Sequence, residues 1–109
     1  MKNLKLFVEG DNLKLDSGYN PRDLFPGMKE SVRLEFDFPP DWKNRVKVAA
    51  FWSVMGKEFP PQIIEDGKTC LVPTEALQGA VFKVQILGKK NGEKASTTKC
   101  TVYLKGGRV

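Results

Sequence analysis

The chain has 109 residues, 40% of them hydrophobic, a net charge of +5 and no histidine. This length and hydrophobic content suit one packed core, so we expect a single domain over residues 1–109, with 105–109 as a flexible tail. The absence of histidine excludes Ser-His, Cys-His and His-metal chemistry, and no paired-acid or phosphate-loop pattern replaces them. We therefore expect no enzyme, no catalytic or metal-ligating residue and no cofactor.

The basic residues are scattered along the chain, which indicates a solvated surface and does not favour nucleic acid as a partner. No apolar run approaches the ~20 residues that a membrane span needs, and lysines interrupt the apolar residues at the N-terminus, unlike a signal peptide. We expect a protein made in a cytoplasm, with no membrane partner. Cys70 and Cys100 lie in apolar segments and should be buried free thiols; a disulfide is the alternative if their strands face each other.

The first half of the chain predicts short strands at residues 4–8 and 13–15, a surface loop at 22–28 and a clear strand at 31–38. In this last strand apolar and polar residues alternate, which predicts one buried and one solvated face. The residues assigned to the buried face are Val32, Leu34, Phe36 and Phe38.

Segment 45–54 predicts a central strand with apolar residues on both faces. We assign the more apolar face to the core: Val46, Val48, Ala50, Trp52 and Val54. The opposite face carries Lys47, Ala49, Phe51 and Ser53. With this assignment, Phe36, Trp52 and Phe82 are predicted to be core aromatic residues.

The second half of the chain alternates short apolar runs with turn signals. The predicted elements are an extended segment at 59–61, strands at 69–72, 81–87 and 97–104, and about one helical turn at 73–77. Asn91-Gly92 predicts a tight hairpin, because both residues tolerate positive φ. Seven or eight short strands without a long helix predict an all-β, antiparallel two-sheet sandwich, immunoglobulin-like in layout; a small closed barrel is the runner-up.

Three segments together resemble a family of small β-sandwich domains in tail and baseplate proteins of phages that infect Gram-positive bacteria. They are the strand at 46–52, the run Asp-Gly-x-x-Cys-x-Val-Pro-x-Glu-x-Leu at 66–77, and the strand at 82–88 with the glycine hairpin and Thr97-Thr98 that follow. The matching residues are mainly structural and carry no catalytic role. The resemblance implies a virion protein of the phage tail whose partners are other phage structural proteins or further copies of itself.

Candidate contacts with a partner lie in loops at one end of the predicted sandwich, or on an exposed edge strand. They are Tyr19, Trp42, Lys43, Arg45, Lys89, Lys90 and Asn91. For Trp42, the alternative is that its ring folds back over the end of the sandwich. Three other functions stay open: a small phage-encoded inhibitor of a host factor, a carbohydrate-binding module supported only by Trp42 and Tyr19 on a sandwich fold, and a nucleic-acid binder supported only by net charge.

Overall fold

A computed structural model describes residues 1–19 and 23–104, which form nine β-strands and no α-helix. The strands are β1 (Lys2–Glu9), β2 (Asn12–Leu15), β3 (Val32–Asp37), β4 (Val46–Ser53), β5 (Glu58–Ile63), β6 (Thr69–Leu71), β7 (Val81–Lys90), β8 (Glu93–Ser96) and β9 (Cys100–Tyr103). Short 3₁₀ helices lie at Pro40–Trp42 and Thr74–Leu77. The predicted all-β class is confirmed, whereas the tail predicted at 105–109 lies outside the described residues.

The strands form two sheets, as predicted. The first has the order β2-β1-β3-β6; the second has the order β5-β4-β7, with β8 and β9 both paired to the far side of β7. The pairing of β3 with β6, and of β7 with β4 and β9, is the arrangement of an immunoglobulin-like sandwich. One pair, β1 and β3, runs parallel instead of antiparallel. It can do so because residues 16–31 separate β2 from β3 in the sequence, which is enough chain for the crossover connection that parallel strands require.

The core lies between the two sheets and follows the alternation of β3. Val32, Leu34 and Phe36 are buried there, which confirms the predicted face of this strand. Phe82 of β7 is also fully buried and packs against Phe51, with 6.0 Å between ring centroids.

The predicted faces of β4 are wrong. Lys47, Ala49 and Phe51 point into the core, whereas Val46 is 68% exposed. Trp52 is half-buried on the outer face, where the Nζ of Lys99 lies 4.3 Å from its ring centroid. Trp52 is therefore not the core residue that the sequence predicts.

Lys47 is the reason why counting the apolar residues on each face of β4 predicts the wrong inner face. Its side chain is only 6% exposed, yet its ammonium Nζ donates a hydrogen bond to the carbonyl oxygen of Arg45 at 3.3 Å and lies 5.0 Å from the ring centroid of Phe38. Burial and the nearby charge of Arg45 lower the pKa of Lys47. A lysine can thus occupy the inner face of β4, because its aliphatic stem packs while its charge is partly compensated.

The two thiols are buried in different sheets, Cys70 in β6 and Cys100 in β9. Burial raises the pKa of Cys70 to about 12. We expect two thiols that react slowly with an aromatic disulfide reagent in the native protein and rapidly after denaturation, because only an accessible thiolate attacks. Protein that is prepared without reductant, runs as a monomer and shows no free thiol after denaturation would contradict this prediction.

Candidate interaction groove

A groove of about 870 Å³ lies on the outer face of the second sheet, beside the β7–β8 hairpin. Val46 and Val48 of β4 and Leu87 of β7 line its apolar floor. These residues point outward because the alternate residues of both strands fill the core. Val46 is 68% exposed and Leu87 is 42% exposed.

Strand register extends this floor into a larger apolar surface. Val48 is paired with Ile63 of β5 on one side and with Leu87 on the other, and Ile63 is 61% exposed. We call Val46, Val48, Ile63 and Leu87 the apolar patch. Contiguous exposed apolar residues on a folded protein are characteristic of interaction sites.

Lys89 and Lys94 border the groove at its hairpin end. They lie directly opposite each other on β7 and β8, and Val46 lies opposite Lys89 on the other side. Like charges in this position repel each other and destabilise the pair of strands. Neither lysine has an ion-pair partner among the described residues, so the groove presents uncompensated positive charge beside its apolar floor.

The hairpin turn sets the spacing of these lysines. Asn91 and Gly92 have φ values of 51° and 82°, which fits the tight two-residue turn that the sequence predicts. The residues flanking such a turn form a hydrogen-bonded pair, so Lys89 and Lys94 form the next, non-hydrogen-bonded pair. In pairs of this kind the two strands approach most closely.

The structure brings five of the predicted contacts to this end of the second sheet. They are Lys43, Arg45, Lys89, Lys90 and Asn91, which lie at the same end because the first residue of β4 lies opposite Lys89. Arg45 is half-buried and the others are exposed. The Nε of Arg45 donates to a backbone carbonyl at 3.2 Å, whereas its Nη1 is buried and has no hydrogen-bond partner in the part of the chain that the structure describes.

Trp42 is not available as a contact, because its side chain is 2% exposed. Its ring stacks on Phe38 with 5.6 Å between centroids, and the Arg45 guanidinium covers it at 5.8 Å. The ring fits against β7 only because Gly88 lacks a side chain: a Cβ there would lie 2.7 Å from Cζ3 of Trp42. The folded-back alternative therefore describes Trp42, and the contact prediction is contradicted.

Tyr19 lies far from the other predicted contacts. Its hydroxyl donates a hydrogen bond to the carbonyl oxygen of Tyr103, which is paired with Val81 at the opposite end of β7 from Lys89. The ring is half-buried, and this burial raises the pKa of Tyr19. Tyr19 is thus hydrogen-bonded to the end of β9 and does not line the groove.

A second groove, of about 710 Å³, runs along β1 and β3 on the other sheet. Charged side chains of both signs line it, among them Lys5, Glu35, Asp37 and Lys68. Within residues 1–19 and 23–104, no three Cys, Asp or Glu side chains are grouped so that they could hold a metal ion. The same residues include no helix with the length and apolar character to cross a membrane.

No protein-family model and no curated protein matches the chain. Its groove must therefore be interpreted from the residues that form it.

The sequence predicts the lysine-bearing hairpin at 89–94 but not the floor of the groove. Alternation in β4 predicts the wrong face and so places Val46 and Val48 in the core, and nothing in the sequence marks Ile63 as part of a contact surface. Leu87 was recognisable, because it follows Ile86 in a strand whose inward residues are Phe82, Val84 and Ile86. No local signal places Ile63 beside Val48, since that pairing depends on the fold.

Proposed function

We propose that this protein is a non-catalytic structural component of a phage tail or baseplate that acts through protein–protein contacts. The lysine-bordered groove carries the proposal, because protein interfaces combine an apolar centre with a polar rim. The assignment to a phage tail rests on the resemblance of segments 46–52, 66–77 and 82–88. The sandwich fold is the one that this resemblance implies.

The surface favours a protein partner over the other classes considered. The two aromatic residues that suggest a carbohydrate-binding module form no common exposed platform, because Trp42 is buried and Tyr19 is half-buried at the far end of the domain. A nucleic-acid binder would follow the phosphate backbone with a track of cations. Here Lys89 and Lys94 instead border an apolar floor.

The virion role is tested by mass spectrometry of purified particles from the phage or prophage that encodes the chain. We expect the protein in the particle, with chemical cross-links from Lys89, Lys90 or Lys94 to a neighbouring tail protein. Absence from the particle, together with tight capture of one host protein, would contradict the structural role and support an inhibitor.

The groove itself is tested by Val48→Asp, which places a charge on the apolar floor between Ile63 and Leu87, where no lysine lies directly opposite. We expect this variant to fold normally and to be incorporated into particles about tenfold less, because a buried unpaired charge at an interface is strongly unfavourable. The matched control is Val54→Asp, since Val54 is 61% exposed and lies beyond the other end of β4. Equal incorporation of both variants would show that the groove is not the contact surface.

A further inference from the structure

We propose that the groove takes up an extended segment of a partner protein, which adds as a strand to the free edge of β8. On the side facing the groove, this segment carries an acidic residue beside Lys94 and, two positions away, a large apolar residue beside Ser96. The inference rests on the proposed function and specifies the chemistry of the partner.

The edge of β8 offers unpaired backbone groups. Within residues 1–19 and 23–104, β7 is the one strand that pairs with β8, and the alternation set by the hairpin turn places Lys94 and Ser96 in non-hydrogen-bonded pairs. Their N–H and C=O groups therefore point away from β7. The backbone N–H of Thr97 donates to the carbonyl of Ile86 at 3.0 Å, in phase with this pattern. An unpaired row of this kind is a template for strand addition.

The other sheet edges are less open. In β5, Pro60 and Pro61 have no N–H to donate. At the edge of β2, the backbone N–H of Leu13 donates to Oγ1 of Thr98, and the N–H of Thr98 donates to the carbonyl of Asp11. Strand β6 has only three residues. At the edge of β9, the carbonyl of Tyr103 already accepts a hydrogen bond from the hydroxyl of Tyr19. Among the described strands, β8 is thus the edge best suited to accept another strand.

The side chains around β8 specify the pattern of the incoming segment. Lys94 and Ser96 share the outer face of β8, because residues two apart in a strand point the same way. Lys94 lies directly opposite Lys89 on this face. The two positive charges favour a carboxylate at the neighbouring position of the incoming segment. Ser96 continues the row of Leu87, and its small side chain lets an apolar neighbour lean across onto the floor of the groove.

A second copy of the chain is a poor occupant. In a two-fold symmetric contact the same surface serves both partners. Such a contact would bring two hairpins into one interface, each with Lys89, Lys90 and Lys94 against the single acid Glu93, and like charges gathered at an interface are repulsive. The charge pattern therefore selects a different protein with carboxylates at the matching positions.

The direct test uses a blocked synthetic peptide of repeating Thr-Glu-Thr-Leu, compared with repeating Thr-Lys-Thr-Leu. We expect the glutamate peptide to shift the amide resonances of Lys94 and Ser96 and to slow their hydrogen exchange. We expect the lysine peptide to bind at least about tenfold more weakly, because its charges meet Lys89 and Lys94.

Two tests, each with its own control variant, separate strand addition from general electrostatic attraction. Ser96→Pro removes an outward N–H that β7 does not use and should weaken binding at least about tenfold, whereas Ser96→Ala keeps the N–H and should bind normally. The double variant Lys89→Glu, Lys94→Glu should reverse the preference to the lysine peptide. Lys57→Glu, at the exposed turn between β4 and β5, should leave it unchanged. If Ser96→Pro does not fold, the charge reversal decides.

Several outcomes would overturn this inference. They are equal binding of the two peptides, unchanged binding by folded Ser96→Pro, and binding to anionic vesicles or duplex DNA without binding to the glutamate peptide. A protein present in particles but cross-linked only through other surfaces would refute strand addition and leave the virion role intact. Absence from particles with peptide binding preserved would refute the virion role alone.

Discussion

Replacing Trp42 with alanine is expected to lower the free energy of unfolding by about 3–5 kcal/mol, the range for truncating a fully buried aromatic side chain. Trp42 is 2% exposed and ends a stack in which Phe36, Phe38 and Trp42 follow one another at 5.6 Å between centroids. Its loss would leave a cavity against Gly88 that the rigid strand β7 cannot fill. Urea unfolding followed by circular dichroism measures the change.

Trp52→Ala provides the matched control. Trp52 is half-buried on the outer face of β4, so its removal should lower the free energy of unfolding by only about 1 kcal/mol, in proportion to the smaller area released. Each variant also retains one tryptophan as a fluorescent reporter. Emission should be blue-shifted in Trp52→Ala, which keeps the buried ring of Trp42, and red-shifted in Trp42→Ala. The reverse order would contradict the placement of both residues.

Phe51→Ala is expected to lower the free energy of unfolding by about 3–5 kcal/mol as well. Phe51 is fully buried and packs on Phe82 at the centre of the second sheet. Phe59→Ala removes its cross-strand neighbour on β5, which is only half-buried, and should have a clearly smaller effect. A loss below about 1 kcal/mol for Phe51→Ala would mean that the faces of β4 are reversed after all.

The contrast between β3 and β4 shows how far the sequence determines the fold. In β3 every outward position is charged, so the alternation of apolar and charged residues allows one assignment of the buried face. In β4 the inward face contains Lys47, and the outward face contains Val46 and Trp52. A count of apolar residues then favours the wrong face, because it does not include the contacts of the Lys47 ammonium with the ring of Phe38 and the carbonyl oxygen of Arg45.

The sequence likewise predicts one part of the candidate site and not the rest. Asn91-Gly92 identifies the hairpin from local sequence alone, and the lysines around it follow. The burial of Trp42 depends instead on Gly88, which is distant in sequence and leaves the space that the ring fills. The apolar patch depends on the pairing of Val48 with Ile63 across the bulged β4–β5 pair. Long-range relationships of this kind leave no periodic signal in the chain.

The two prolines of β5 have a consequence for the size of any assembly built on strand addition. A sheet that has a free edge on both sides can pair edge to edge with neighbouring sheets, and this pairing can continue into fibres. Pro60 and Pro61 obstruct one edge of the second sheet, so a strand received at β8 has no equivalent edge on the far side from which to propagate. Growth of one continuous sheet from domain to domain through β5 is therefore obstructed.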